Sequence, residues 1–223
     1  MIQITTEVKK EFDFGWKKWD EPPPYAWLAL EHQRGDILDI GCGTCQLYLF
    51  LRGNHWDGDY YGVDTQEYDN FEYPPGVQLI IGDACRVQLP IVDTVILYNV
   101  LEHVQNPVDL LKQAIASSKK NVLINVPKRN EQLWRHGIAE YHQLDKTHSH
   151  CGFSREELYH LVHINGAEII AYEELRPINA AYSAALWKSR IPKVIVYLLL
   201  KAFKSDIFYN EIWCEITGRG RGR

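Results

Sequence analysis

The chain has 223 residues, 46% of them hydrophobic and 24% charged, which suffices for one globular domain with a sizeable core and an appendage. Disorder, collagen and coiled coil are excluded as overall descriptions. With 24 Lys and Arg against 29 Asp and Glu, the formal charge is -5, a weak global field for gripping a nucleic-acid backbone.

Residues 1–34 hold Trp16, Trp19 and Trp27 around the turn-forming Pro22, Pro23 and Pro24, a pattern that predicts a helical cap rather than a sheet element. The start, MIQITTEVKKEF, has no signal-peptide pattern, and Cys42, Cys45, Cys85, Cys151 and Cys214 form no disulfide-dense array. A cytoplasmic, reducing setting is expected. From Asp36 onward short apolar runs alternate with helical patterns: DILDIG, a helical stretch through Tyr48, DYYGVD, VQLIIGDA, DTVILYNV, a helical NPVDLLKQAIASSKK, and NVLINVP. This βαβ rhythm predicts an α/β fold with a Rossmann-like, doubly wound, mostly parallel sheet.

Farther along, SREELYHLVHING predicts a helix with Ser154 as N-cap, Glu157 at the capping-box position and Gly166 as its stop. The strand AEIIAYEEL follows. Residues 176–205 read as an apolar helical insert with six basic residues and no acidic one, then IFYNEIWCEITG as a last strand, and RGRGR as a disordered tail. The expected organisation is a cap or lid over 1–34, a main domain over 35–218 containing an insert over 177–205, and a basic tail over 219–223.

The most informative stretch is Asp39-Ile40-Gly41-Cys42-Gly43-Thr44-Cys45, where the first strand turns into a helix. Two glycines one residue apart let the backbone fold tightly against a ligand at the carboxyl edge of the sheet. A dinucleotide fingerprint needs a third small residue where this chain has Gln46, so a dehydrogenase is disfavoured. Asp64 ends the second strand, where a carboxylate can accept from both ribose hydroxyls of an adenosine. Asp83, in Gly82-Asp83-Ala84, closes the third strand and is placed to meet an adenine amine. With no Lys or Arg in the glycine loop to meet phosphate, these acids suit a nucleoside carrying a cation.

DIGCGTC, YGVD, GDA and LYNVLEHV, in this order across residues 35 to 175, resemble the motifs of the class I S-adenosylmethionine-dependent methyltransferases. NVLEHV followed by a helix is similar to the branch that methylates small molecules, including quinone-precursor and sugar O-methyltransferases. The resemblance implies S-adenosyl-L-methionine as cofactor. It implies Asp39, Gly41, Cys42 and Gly43 at the methionine end, Asp64 and Thr65 at the ribose, and Asp83 and Ala84 at the adenine. Asn99, Val100 and Leu101 would form the wall beside the sulfonium, with Glu102 and His103 beginning a helix behind the pocket. It further implies that the last strands form an antiparallel edge pair.

Two other readings of these residues are weaker. Cys42 and Cys45 form a CxxC at a helix start, a redox arrangement, but it overlaps the glycine motif. Pro22-Pro23-Pro24-Tyr25 resembles both a WW-domain ligand and the PPY of amino-group methyltransferases. That PPY belongs after the fourth strand, where this chain has Tyr98-Asn99-Val100-Leu101. Its absence there counts against adenine-N6 or glutamine-amide methylation.

Six of the nine histidines fall between His136 and His163, after the fifth strand and so at the same sheet edge as the cofactor motifs. His142 or His148 could serve as general base toward a hydroxyl acceptor, with Asp145 orienting the imidazole. The D-x-T-H pattern equally suits a loop-closing hydrogen-bond network, and both readings stay open. A metal held by Asp145, His148 and His150 lacks a clear second ligand group, so no metal is assigned. His160 and His163 are expected to pack or face solvent.

In the insert, Lys193, Tyr197, Lys201 and Lys204 make one narrow polar stripe on an apolar helix. Within the helix expected over 186–204, the apolar run from Ile191 to Phe203 is interrupted by Lys193 and Lys201 and is too short to span a bilayer. The helix reads as a lid, a homodimer interface, or a monotopic helix in peripheral contact with an anionic membrane. The expected activity is O-methylation of a small molecule such as a sugar, quinone-like or natural-product hydroxyl. The alternatives are an RNA or tRNA methyltransferase, which the acidic remainder of the chain opposes, and a catalytically silent cofactor-binding partner subunit.

Overall fold

A computed structural model describes residues 22–68, 71–131, 145–179 and 207–218. The apolar runs form β1 (Ile37–Ile40), β2 (Tyr60–Asp64), β3 (Val77–Ile81), β4 (Val92–Tyr98), β5 (Ser118–Pro127), β6 (Ile169–Asn179) and β7 (Ile207–Thr217). Between them lie α1 (Pro24–His32), α2 (Gln46–Gly53), α3 (Pro107–Ser117) and α4 (Arg155–Ile164). The sheet runs β3-β2-β1-β4-β5-β7-β6. β1 to β5 pair in parallel, and β7 is antiparallel to both β5 and β6. The expected Rossmann-like sheet and its antiparallel last pair are both present. Chain order reverses between β1 and β4, so a crevice opens beyond their carboxyl ends, where such sheets bind ligands.

Burial on both faces explains why the central strands are apolar throughout. Leu38, Ile40, Val95, Leu97, Val122 and Ile124 face one core, which Leu110 and Leu111 of α3 and Leu158 and Leu161 of α4 complete. The alternate residues Ile37, Ile96 and Leu123 face the other, with Ala26 and Ala29 of α1, Leu47 and Leu51 of α2, and Trp213. α1 therefore packs into the sheet's second layer.

Local chemistry places both ends of α4 as the sequence predicts. Ser154 Oγ accepts from Glu157 N at 3.2 Å while Glu157 Oε2 accepts from Ser154 N at 2.8 Å, and Gly166 ends α4 with φ 72°. Three expectations need correction. Glu102 and His103 do not begin a helix: 101–103 is a turn followed by a bend at 104–105, and α3 starts only at Pro107, behind the N-cap Asn106, because proline's fixed φ suits a first helical turn. α3 stops at Ser117, and Ser118 already opens β5. Residues 176–179 extend β6 instead of opening a helical insert, since Pro177, Ile178 and Asn179 find partners in Tyr209, Phe208 and Ile207 of β7; β6 is an edge strand, where proline is tolerated. Trp16, Trp19, the helix over 186–204 and the tail lie outside the described residues. Among the described residues, no helix is long and apolar enough to cross a membrane.

Candidate functional site

The chain leaves β1 through a loop that requires its glycines. Gly41 has φ 77° and Gly43 φ 52°, and a Cβ on Gly41 would lie 2.3 Å from Val100 Cγ2. The loop after β4 therefore presses directly on the glycine loop. Gly41 N and Cys42 N both donate to Val63 O, at 2.7 and 3.1 Å. Gly43 N donates to Asp64 Oδ2 at 2.9 Å, which ties the acid ending β2 to the same loop. Thr65 stands beside it, 3.4 Å from Asp64 Oδ1 through its hydroxyl.

Behind the loop, Asp39 is 5% exposed and accepts a hydrogen bond from the Tyr60 hydroxyl. Burial pushes its carboxyl up to about 7, the Tyr60 bond pulling the other way and the Asp64 charge adding to the rise. A buried carboxylate in that state gains from a cation placed against it. Cys42 and Cys45 are free and buried. The hydrogen bond with Cys45, burial and the Asp39 charge push the Cys42 thiol far up, the reverse of what a redox thiolate needs.

On the far side of the crevice Asn99 takes φ 54°, a left-handed conformation that asparagine tolerates. Two bonds hold it there: Asn99 N to Asn125 O at 2.8 Å and Asn125 Nδ2 to Asn99 Oδ1 at 3.1 Å. Leu101 is fully buried. Asp83 is exposed, accepts from Cys85 N at 2.9 Å and meets Arg86 Nε at 3.2 Å; Ala84 beside it is buried. The structure thus gathers Asp39, Gly41, Cys42, Gly43, Asp64, Thr65, Asn99 and Val100 around one loop contact, with Asp83 and Ala84 at the next strand end.

Of the histidine loop, His142 lies outside the described residues. Asp145 Oδ1 accepts from Thr147 N at 2.8 Å and from the Thr147 hydroxyl at 2.7 Å, while Asp145 Oδ2 is 3.7 Å from His148 Nε2. Burial works against the Asp145 charge, but the two Thr147 bonds and the nearby His148 and His103 hold its carboxyl below the usual range. Thr147 Oγ1 is also 3.1 Å from His103 Nδ1. The His103 and His148 rings meet edge to face at 4.5 Å. Ser149 N and His150 N donate to Glu102 O at 2.8 and 3.0 Å, and Ser149 Oγ to His103 O at 3.1 Å.

These bonds clamp the loop onto Glu102 and His103, the pair that the family resemblance places on a helix behind the pocket. Glu102 is 1% exposed, and its Oε2 has no hydrogen-bond partner among the described residues. Burial pushes its carboxyl up to about 8, and the charges of Glu211 and Asp145 add to that. One donor atom each from Glu102, His103 and His148 lies within 4.8 Å of the other two. The signal for this cluster was available: LEHV follows β4 and D-x-T-H follows β5, at one edge of adjacent strands. His150 instead lies against Phe153 at 5.9 Å, and His160 and His163 are exposed on α4.

A family model described as a methyltransferase domain matches residues 17–172. Among solved structures, the chain is similar to a SAM-dependent methyltransferase from Archaeoglobus fulgidus at 15% identity, covering 86% of this chain and 90% of that one, with a TM-score of 0.58. It is similar to a SAM-dependent methyltransferase from Methanosarcina mazei at 14% identity, covering 89% and 98%, with a TM-score of 0.56. It is also similar to magnesium protoporphyrin IX methyltransferase from Synechocystis PCC 6803 with bound SAH, at 15% identity, 86% and 79% coverage and a TM-score of 0.54. At such identities the likeness shows a shared fold. No curated protein matches the sequence.

Proposed function

The chain belongs to the class I S-adenosylmethionine-dependent methyltransferases, and from that premise we propose that it methylates a hydroxyl oxygen of a small molecule. The carrying observation is the polar set His103, Thr147, Asp145 and His148: His103 lies two residues after Leu101, and the later loop is held to it through Thr147 Oγ1 and through bonds to Glu102 O and His103 O, with His148 Nε2 3.7 Å from Asp145 Oδ2. Neither 39–45 nor 99–104 contains Lys or Arg, which supports an acceptor without a phosphate backbone.

In this proposal Asp39, Gly41, Cys42 and Gly43 receive the methionine end of the cofactor, with the Asp39 carboxylate answering its ammonium. Asp64, beside Thr65, accepts from the ribose hydroxyls. Asp83 takes the adenine amine over Ala84, and Asn99, Val100 and Leu101 flank the sulfonium. Transfer is an in-line displacement: the acceptor oxygen bonds the methyl carbon as the carbon–sulfur bond breaks, and the acceptor's proton leaves. His142 or His148 is the base that takes up that proton, and Asp145 is the positioning carboxylate. Alignment and proton handling together are the protein's share of the work.

Incubation with isotopically labelled methyl donor and cell extract, followed by fractionation, tests the acceptor class. Label is expected in the small-molecule or lipid fraction. Label confined to RNA overturns the proposal in favour of an RNA methyltransferase. Saturable cofactor binding with no label transferred to any fraction makes the chain a silent cofactor-binding subunit.

A further inference from the structure

We propose that Glu102, His103 and His148 form a binding site for one divalent cation of the zinc class, beside the methyl acceptor. The idea rests on the acceptor placement above and adds the means by which the hydroxyl is activated. The three residues come from two loops that the fold brings together, and one donor atom from each already lies within 4.8 Å of the other two. Tetrahedral zinc with nitrogen and oxygen ligands at about 2.0–2.2 Å needs its donors a little over 3 Å apart. The exposed His103 can close that difference by turning its ring.

The buried carboxylate gives the cluster its reason. Glu102 Oε2 has no hydrogen-bond partner among the described residues at 1% exposure, and a buried polar atom left so is costly unless a ligand completes it. The second set of contacts orients the donors. Asp145 Oδ1 accepts a hydrogen bond from the Thr147 hydroxyl at 2.7 Å. Thr147 Oγ1 must then accept from His103 Nδ1 at 3.1 Å, so His103 Nε2 carries the lone pair. A carboxylate acting on a ligand histidine's far nitrogen is the usual outer arrangement of metal sites. Two imidazoles and one carboxylate favour a borderline first-row cation over magnesium or calcium.

Three protein ligands leave a position open for the acceptor. A coordinated hydroxyl would release its proton to water near neutral pH, with His148 then acting as a ligand and not as the base. The resulting alkoxide then attacks the methyl carbon as the sulfonium carbon–sulfur bond breaks.

The test uses the full chain, stripped with chelator and titrated with zinc(II) by calorimetry, with metal content measured after dialysis. One equivalent is expected. Glu102→Gln, His103→Ala and His148→Ala should each weaken zinc binding at least about 100-fold, while His150→Ala binds as the parent does. Unchanged S-adenosylmethionine affinity in the His103→Ala variant, whose ring is exposed, shows that the fold is intact. Uptake well below one equivalent in the parent overturns the site, and so does parental affinity in the Glu102→Gln and His103→Ala variants. The readout needs no acceptor: one equivalent of zinc in a protein that labels only RNA overturns the acceptor class and leaves the cation site standing.

Discussion

Asp39 is an acid whose environment opposes its charge until a cation arrives, and the consequence can be measured. Its carboxyl stands at about 7 in the fold against an ordinary 3.8. Below pH 4 both folded and unfolded chains hold the proton, and no penalty arises. Between pH 4 and 7 the unfolded chain ionises this group while the folded chain keeps the proton, so stability falls with pH and is lower by on the order of 4 kcal/mol once the pH passes 7. Asp39→Asn is therefore expected to raise the melting temperature at pH 8 and to leave it nearly unchanged at pH 4. Binding the cofactor's ammonium favours the ionised form, so cofactor affinity of the parent should rise with pH between 6 and 7 by up to about tenfold per unit. The Asp39→Asn variant should lose that slope, and calorimetry at four pH values checks it. At Asp64 an amide oxygen can still accept from Gly43 N, so Asp64→Asn should fold normally while losing about 10- to 100-fold in cofactor affinity, as expected for a lost charged acceptor. A pH-independent affinity in the parent would separate Asp39 from the ammonium.

The elements show where local chemistry suffices. The capping box of α4 is legible as Ser154-Arg-Glu-Glu157 and forms as read, because both of its bonds lie within four residues. Ser154→Ala should cost about 1 kcal/mol and lower the melting temperature by about 2–4 °C, without moving cofactor affinity; thermal melts with and without cofactor check both. The turn at 101–103 shows the opposite case. LEHV has helix-forming residues, yet Glu102 is held by contacts from a loop more than 40 residues later, and no window around it contains that information. Likewise, the strand character of 176–179 comes from pairing with β7, whereas the apolar and basic composition there suggested a helix.

At the scale of the molecule, one buried acid joins the first helix to the sheet. Glu215, 3% exposed, accepts from Asn121 Nδ2 at 2.8 Å and pairs with His32 Nδ1 at 2.8 Å, while Asn121 Nδ2 also reaches His32 O at 2.9 Å. This network sits at the amino end of β5, opposite the cofactor edge. Glu215→Ala removes one acceptor from Asn121 Nδ2 and the carboxylate partner of His32 Nδ1, and should cost about 2–4 kcal/mol. Cofactor affinity of the folded fraction should stay at the parental value. The charge of -5 averages unlike parts at this scale, since six basic residues in 176–205 and three in 219–223 leave the remainder strongly acidic. We propose segment 186–204 as a lid or a homodimer interface, so the chain should stay in the supernatant when anionic vesicles are sedimented at low salt. Co-sedimentation would reassign that segment to a membrane surface.

By itself the sequence determined the alternation of strands and helices, the glycine loop and the acids at the ends of β1, β2 and β3. Each of these depends on residues close in the chain: side-chain period, backbone freedom and capping all act over a few positions. What tertiary structure decided was which polar groups meet. Val100 pressing on Gly41, Asn125 holding Asn99, and Glu102 and His103 joining Asp145, Thr147 and His148 all require strands to lie side by side. That adjacency comes from burying apolar faces, and polar residues far apart in the chain gain common neighbours only as its result.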